Sequence, residues 1–246
     1  DGTSNDGVWV LPYDEASGQA DGEPVLIVPG GGRPSVSTDG LLVYALNPIT
    51  GGQEQMVWVD RTGEVIEDIT PILPNVGSPV LSPDERVLAL SINESQDVDI
   101  WLQDLRRGTR QRLPVPGVMD IQAKWMTSGE EIVFYSAPPV HKIFRRSLDA
   151  TAPLDTLVAG SAPSLTSDGA LMAYVDYRGG DPALYVMEAD GSDEPRPIFL
   201  GPDEYEQPAI SPDDRFVSYV SNESGSKEVY LRTFPDGGHP MRVSLD

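Results

Sequence analysis

A short sequence pattern recurs five times along the chain, and this repeat constrains the fold more than any other feature. Each copy is a turn of the Ser-Pro-Asp-Gly type followed by an apolar segment, as in Ser82-Pro83-Asp84-Glu85 before residues 87–90. The third turn positions are residues 39, 84, 128, 168 and 213, which lie 40 to 45 residues apart. A period of this length with several short apolar segments is typical of a four-stranded propeller blade.

An aromatic residue flanked by aliphatic residues recurs with a similar period. Its six copies are centred on Trp9, Trp58, Trp101, Phe144, Tyr185 and Tyr230. The segments 87–90 and 132–135 are apolar at consecutive positions, which suits a sheet covered on both faces. The 24 glycines and 23 prolines are spread along the whole chain, and no window holds a sustained helical period. These features predict an all-β fold.

We therefore predict one β-propeller domain over residues 1–246, with about six blades of four antiparallel strands. Five blades are complete and one, at the N-terminal end, is a half blade. The predicted half blade covers residues 8–28, and the blades cover 34–69, 78–113, 122–158, 163–200 and 208–244. Seven residues before the half blade are too few for two more strands at about 3.3 Å per residue and a turn. We expect the chain to be part of a longer protein that supplies the missing strands.

The chain is strongly acidic, with a net charge of −22 from 39 acidic and 17 basic residues. Such a surface repels phosphate backbones, so nucleic acid is not an expected partner. No stretch approaches the roughly 20 apolar residues of a membrane helix, so this segment is not expected to insert into a membrane. The expected partner is a protein or peptide, and the negative charge of the chain favours a basic one.

The sequence offers little for catalysis. The chain has no cysteine and two histidines, His141 and His239, which we interpret as surface or turn residues. No nucleophile elbow or protein-kinase motif occurs in it. The glycine-rich segment 28–33 lacks the Lys-Ser/Thr of a phosphate loop. We expect that the chain itself is not an enzyme, although a catalytic domain could be fused to it.

Calcium is the one cofactor for which the sequence offers ligands, and no other cofactor is expected. Asp97, Asp99 and Asp203 supply the hard carboxylate oxygens that calcium prefers, but none lies in an EF-hand loop. Turn hydrogen bonding and solvated charge explain the same residues.

A binding site can be placed by propeller topology. The loops from strand four to the next blade share one rim with the loops from strand two to strand three, and scaffolds of this kind carry function on such loops. On this basis we predict seven ligand-binding residues. They are Arg33, Asp120, Gln122, Tyr177, Arg178, Tyr205 and Glu206.

Several segments resemble known bacterial propellers. The turns at residues 82–84 and 211–213 are similar to those of TolB-like, WD-repeat-like β-propellers. The segment VWVDRTG at residues 57–63 resembles propellers fused to bacterial eukaryotic-type Ser/Thr protein kinases, as do residues 99–109, 221–225 and 230–244. The sequence departs from this pattern at Thr127-Ser128-Gly129, where the acidic turn is degraded.

The resemblance implies a non-catalytic binding propeller that acts as an exported sensor or scaffold of a kinase. Its expected location is the periplasmic or extracellular side of a bacterial envelope. Two alternatives stay open: the accessory propeller of a prolyl-oligopeptidase-like hydrolase, and a free TolB-like periplasmic protein.

Overall fold

The computed structural model describes residues 7–14, 19–29, 31–36, 42–46, 53–60, 64–71, 73–74, 76–94, 97–115, 117, 119–149, 151–177, 182–201 and 203–244. The regular elements in these ranges are β-strands, and none is a helix that could span a bilayer. The chain divides into two compact units, Asp1–Ala123 and Lys124–Asp246.

In its described residues the first unit contains two larger sheets and two small two-stranded sheets. Its strands are β1 (Gly7–Val10), β2 (Tyr13–Asp14), β3 (Gln19–Ala20), β4 (Val25–Pro29), β5 (Gly31–Val36), β6 (Leu42–Leu46), β7 (Gln53–Val59), β8 (Val65–Asp68), β9 (Leu73–Pro74), β10 (Val76–Leu81), β11 (Val87–Glu94), β12 (Asp97–Asp104) and β13 (Arg110–Arg112). Strand β1 pairs with β4, and β2 pairs with β3. Sheet I has the order β5-β6-β7-β8, with β9 added to β7, and sheet II has the order β10-β11-β12-β13.

Three more four-stranded sheets follow. Their strands are β14 (Asp120–Trp125), β15 (Glu131–Ser136), β16 (Lys142–Ser147), β17 (Leu154–Ala159), β18 (Ser161–Leu165), β19 (Leu171–Asp176), β20 (Ala183–Glu188), β21 (Arg196–Phe199), β22 (Tyr205–Ile210), β23 (Phe216–Ser221), β24 (Glu228–Thr233) and β25 (Met241–Arg242). Sheets III (β14–β17), IV (β18–β21) and V (β22–β25) each follow chain order. Five antiparallel four-stranded sheets plus the β1–β4 pair confirm the predicted fold class.

Strand β19 shows why its sequence is apolar at consecutive positions. Met172 and Tyr174 belong to the buried cluster shared with sheet III, whereas Ala173 and Val175 belong to the cluster shared with sheet V. All four side chains are at most 1% exposed. Full burial of a large apolar side chain contributes about 1.5–3 kcal/mol. Sheet IV is therefore held by hydrophobic packing on both of its faces.

The recurring turns are built from local hydrogen bonds. In sheet V, the Ser211 hydroxyl donates to an Asp213 carboxylate oxygen at 2.5 Å and accepts from the Phe216 amide at 3.0 Å. Thr166 and Asp168 repeat this arrangement in sheet IV. The turn residues thus fix the start of the second strand in sheets IV and V, as the sequence pattern predicts.

A second recurring feature carries no mark in the sequence. Near the start of the first strand of sheets II to V, one non-glycine residue has a φ of 50° to 57°. These residues are Ser78, Gln122, Ala162 and Gln207. At three of them the register of the first two strands also shifts, which is the signature of a β-bulge. The bulge lies just after the connection from the preceding sheet and bends the first strand at that point.

Candidate functional site

The second unit has a cavity of about 450 Å³, lined by His141, Ala159, Gly160, Asp176 and Tyr177. This volume is within the usual range of small-molecule pockets, about 300–1,000 Å³. His141 directly precedes β16, Ala159 and Gly160 join β17 to β18, and Asp176 and Tyr177 lie where β19 ends. The lining therefore comes from two strand-two-to-strand-three loops and one inter-sheet connection, the loop types on which we predicted the site.

Hydrogen bonds hold His141 in place. Its Nδ1 lies 2.9 Å from the Tyr135 hydroxyl, and its carbonyl accepts a hydrogen bond from the Gly160 amide at 3.2 Å. Its φ is 49°, in the left-handed region that is uncommon for residues other than glycine. Burial, followed by the nearby Tyr177, raises the pKa of Tyr135, so its hydroxyl stays protonated at neutral pH.

The other side of the cavity combines a buried carboxylate with an exposed aromatic ring. Asp176 is 2% exposed, and its Oδ2 accepts a hydrogen bond from the Tyr174 hydroxyl at 3.4 Å. Tyr177 is 48% exposed, and its hydroxyl lies 3.0 Å from Ser161 Oγ. The rings of His141 and Tyr177 have centroids 6.5 Å apart. The lining thus combines an exposed aromatic ring with polar side chains, one of which is buried.

Gly160 allows the segment that joins β17 to β18 to run close to strand β19 of sheet IV. A Cβ at this position would lie 2.6 Å from Tyr174 Cδ2 and 2.7 Å from the Val175 carbonyl oxygen. Both distances are too short for any side chain, so the approach of the chain to β19 requires glycine.

Of the seven predicted binding residues, Tyr177 lines the cavity. Arg178 lies outside the described residues, and Arg33 lies in β5 with its side chain outside them. Asp120 is fully buried in the first unit, where its Oδ2 accepts a hydrogen bond from the Gly117 amide at 3.2 Å. Gln122 lies near the start of β14 and has a φ of 57°.

Tyr205 and Glu206 begin β22 in sheet V. Tyr205 is 2% exposed, and its ring lies 4.9 Å from that of Phe199 in an edge-to-face arrangement. Burial raises the pKa of the Tyr205 hydroxyl, and the nearby charge of Asp203 adds to this effect. Glu206 forms an exposed ion pair with Lys227 at 2.9 Å.

The calcium candidates lie in different surroundings. Asp99 is buried and paired with Arg112 at 2.7 Å, whereas Asp97 is exposed and Asp203 is half-buried. Within the described ranges, no group of three acidic or histidine side chains is arranged to hold a metal ion.

Four of the five described lining residues are not among the predicted site residues: His141, Ala159, Gly160 and Asp176. The sequence indicates a surface or turn role for His141 and does not single out Asp176. The available signal was position: both residues lie next to a loop between the second and third strands. Gly160 carried a comparable signal, because it lies directly between two predicted blades.

No family model matches the chain. Solved structures with the same fold include a protein assigned as TolB from Agrobacterium tumefaciens, with a TM-score of 0.75 and 20% identity over 89% of this chain and 83% of that one. TolB from Acinetobacter baumannii has a TM-score of 0.58 and 20% identity over 72% of this chain and 45% of that one. A puromycin-hydrolysing peptidase from Mycobacterium tuberculosis has a TM-score of 0.66 and 17% identity over 90% of this chain and 40% of that one.

These likenesses establish the fold class: the chain has the fold of a TolB-like β-propeller. The chain spans most of the Agrobacterium protein but less than half of the other two.

Proposed function

We propose that this chain is a non-catalytic binding module that takes a protein or peptide partner at the cavity of the second unit. The observation that carries the proposal is the cavity itself, which brings His141 next to Asp176 and Tyr177 at the end of β19. An exposed tyrosine beside a buried polar group is the kind of anchor that binding surfaces use.

We further propose that the module is the exported sensor or scaffold domain of a bacterial Ser/Thr kinase. The support is the resemblance of residues 57–63 and 99–109 to kinase-linked propellers. The coding sequence upstream of Asp1 tests this proposal. Kinase catalytic motifs followed by an apolar segment of about 20 residues are the expected finding. Neither feature would be found if the kinase link is wrong.

A second candidate function is the accessory propeller of a peptidase. The likeness to the Mycobacterium tuberculosis peptidase favours it, because this chain covers 40% of that protein and leaves room for a hydrolase domain. A Gly-x-Ser-x-Gly motif with later Asp and His downstream of residue 246 is the expected finding in this case.

A peptide selection tests the binding function itself. The immobilised chain is used to select from a displayed library of random peptides, and the selected peptides are then measured against two variants. Tyr177→Ala should weaken binding, because it removes the exposed wall of the cavity. Ile66→Ala, which removes a 57% exposed apolar side chain in the first unit, should leave binding unchanged.

The selection can also contradict the proposal. A selection that enriches no peptide, or peptides whose affinity is the same for both variants and the unchanged chain, would overturn the assignment of peptide binding to this cavity.

A further inference from the structure

We infer that the cavity of the second unit binds a proline residue within an extended, polyproline-II-like segment of its partner. This inference rests on the proposed binding function and names the peptide chemistry that the same site would select. It follows from the surface that the lining leaves accessible, from two aromatic rings whose polar atoms are held by the protein, and from a ring N–H group beside them.

The accessible surface of the cavity is mainly apolar and aromatic. Tyr177 is 48% exposed, and His141 and Ala159 are exposed as well. Asp176 is 2% exposed, so its carboxylate adds little to the surface that a ligand can touch. The lining therefore favours an uncharged ligand group that packs against aromatic rings.

The two exposed rings are held in place by their polar atoms. The Tyr177 hydroxyl lies 3.0 Å from Ser161 Oγ. His141 Nδ1 lies 2.9 Å from the Tyr135 hydroxyl. The planes of the His141 and Tyr177 rings are inclined by 57°, with 6.5 Å between the centroids. Proline-rich segments dock on aromatic-lined surfaces, and a surface whose rings are already held in place needs little ordering on binding.

His141 also supplies a hydrogen-bond donor. Burial raises the pKa of Tyr135, so its hydroxyl keeps its proton and can donate to His141 Nδ1. When it does so, the neutral imidazole carries its own proton on Nε2. Nε2 can then donate a hydrogen bond to a carbonyl oxygen of a ligand that lies against the ring.

Proline matches these features better than other residues of a peptide. Its ring is apolar, and its backbone has no N–H group that would lose a hydrogen bond to water inside the cavity. Its carbonyl oxygen remains an acceptor for His141 Nε2. The polyproline II conformation is also preformed in solution, so its binding costs less conformational entropy than the ordering of a flexible segment.

The test uses the full chain and two acetylated tetrapeptide amides. One is tetraproline, and the other is tetrasarcosine, whose residues also lack a backbone N–H group but carry no ring. The chain contains two histidines, so their ring signals in NMR spectra report on two places at once. His141 lines the cavity, whereas His239 lies in an exposed segment before β25.

We expect tetraproline to shift the His141 signals saturably and to leave the His239 signals unchanged. Ring currents of the two aromatic rings should move the proline ring protons of the bound probe upfield. Tetrasarcosine should shift neither histidine at the same concentrations. The affinity for tetraproline should not change with salt, because the contact involves no ion pair.

Two results would overturn the inference on the unchanged chain. One is equal shifts of the His141 signals by tetraproline and tetrasarcosine, which would show that the proline ring is not recognised. The other is tighter binding of acetyl-phenylalanine amide than of tetraproline, which would show that the cavity selects an aromatic side chain instead.

Two substitutions separate the Tyr177 ring from its hydroxyl. Tyr177→Ala should weaken tetraproline binding about tenfold, because the ring is removed. Tyr177→Phe keeps the ring and should retain most of the affinity. Leu200→Ala is the control, since it removes a 70% exposed apolar side chain of the same unit that lies outside the described lining. Equal affinities for Tyr177→Ala and Leu200→Ala would overturn the role of the ring.

The comparison of tetraproline with tetrasarcosine on the unchanged chain keeps the inference testable if a variant does not fold. The results also separate the inference from the proposed function. Selected peptides that depend on Tyr177 but contain no proline would leave the binding function standing and remove the inference. An empty peptide selection together with unshifted His141 signals would remove both.

Discussion

Glu85 and Asp214 occupy the turn position at which Gly129 and Gly169 lie in other repeats. All four residues have positive φ values, 56° and 59° for the two acidic residues and 70° and 72° for the glycines. A left-handed conformation costs a non-glycine residue about 1 kcal/mol or more. The Asp214 carboxylate also accepts hydrogen bonds from the Ser167 amide at 2.7 Å and the Ser167 hydroxyl at 2.6 Å.

These two positions make a matched pair of substitutions. Glu85→Gly should raise the free energy of unfolding by up to about 1 kcal/mol, because the strain is relieved. Asp214→Gly should lower it by about 1 kcal/mol, because the bonds to Ser167 are lost. Denaturant unfolding of both variants measures the difference. A Glu85→Gly variant less stable than the unchanged chain would contradict the strain argument.

Gly160 offers a second test at the scale of single residues. Gly160→Ala should destabilise the chain by about 1–3 kcal/mol, because its Cβ overlaps Tyr174 and the Val175 carbonyl. Gly108→Ala is the control: it also replaces a glycine of positive φ, but no atom lies within 4 Å of the added Cβ. Thermal unfolding of the two variants checks the prediction. Equal losses would show that backbone conformation, and not the close approach to β19, requires Gly160.

At the scale of elements, the recurring turns make the fold sensitive to acid. Hydrogen bonds from Ser82, Thr166 and Ser211, together with backbone amides, lower the pKa of Asp84, Asp168 and Asp213. The Ser82 and Ser211 hydroxyls are the main cause at Asp84 and Asp213, whereas the Ala170 amide is the main cause at Asp168. A lowered folded-state pKa stabilises the fold above the unfolded value of about 3.9.

This stabilisation should be lost as the pH falls below about 4 and passes through the folded-state pKa values. Urea unfolding at pH 6, 4 and 3 should show a smaller acid-induced loss for Asp213→Asn than for the unchanged chain. Asp236→Asn, which removes an exposed carboxyl outside these turns, should behave like the unchanged chain. An Asp213→Asn variant with undiminished acid sensitivity would contradict the role of the turn.

The sequence predicted the sheets better than it predicted the cavity, and the reason is physical. The turn residues and the strands that are apolar on both faces are local sequence signals. Because these signals recur with a regular period, they predicted five sheets. The pairing of β9 with β7 and the bulge at Gln207 follow from tertiary contacts that no local pattern encodes. The cavity brings together three separate segments, of which the sequence pointed to one side chain, Tyr177.

At the scale of the whole chain, the excess of negative charge is the dominant electrostatic feature. Mutual repulsion among 39 acidic residues opposes a compact state, and salt reduces this repulsion because the Debye length is about 10 Å at 0.1 M. Thermal unfolding in increasing NaCl or KCl should therefore give a rising Tm that is the same for both salts. A Tm that falls with salt would mean that attractive ion pairs outweigh the repulsion.

The same measurement examines the calcium candidates. Calcium and magnesium chloride at equal ionic strength should raise the Tm equally if only screening acts. A larger rise with calcium at low concentration would point to a specific site, with Asp97, Asp99 and Asp203 as the first residues to replace.

The hydrogen bonds between turns of successive sheets restrict how this chain can be rearranged. Thr127 donates to the Ser167 carbonyl at 3.3 Å, and Ser167 in turn donates to Asp214. A repeat moved to another place along the chain would meet a neighbour whose side chains do not match its own. Shuffling or duplication of repeats, in the laboratory or in evolution, should therefore succeed best when adjacent repeats are transferred as a pair.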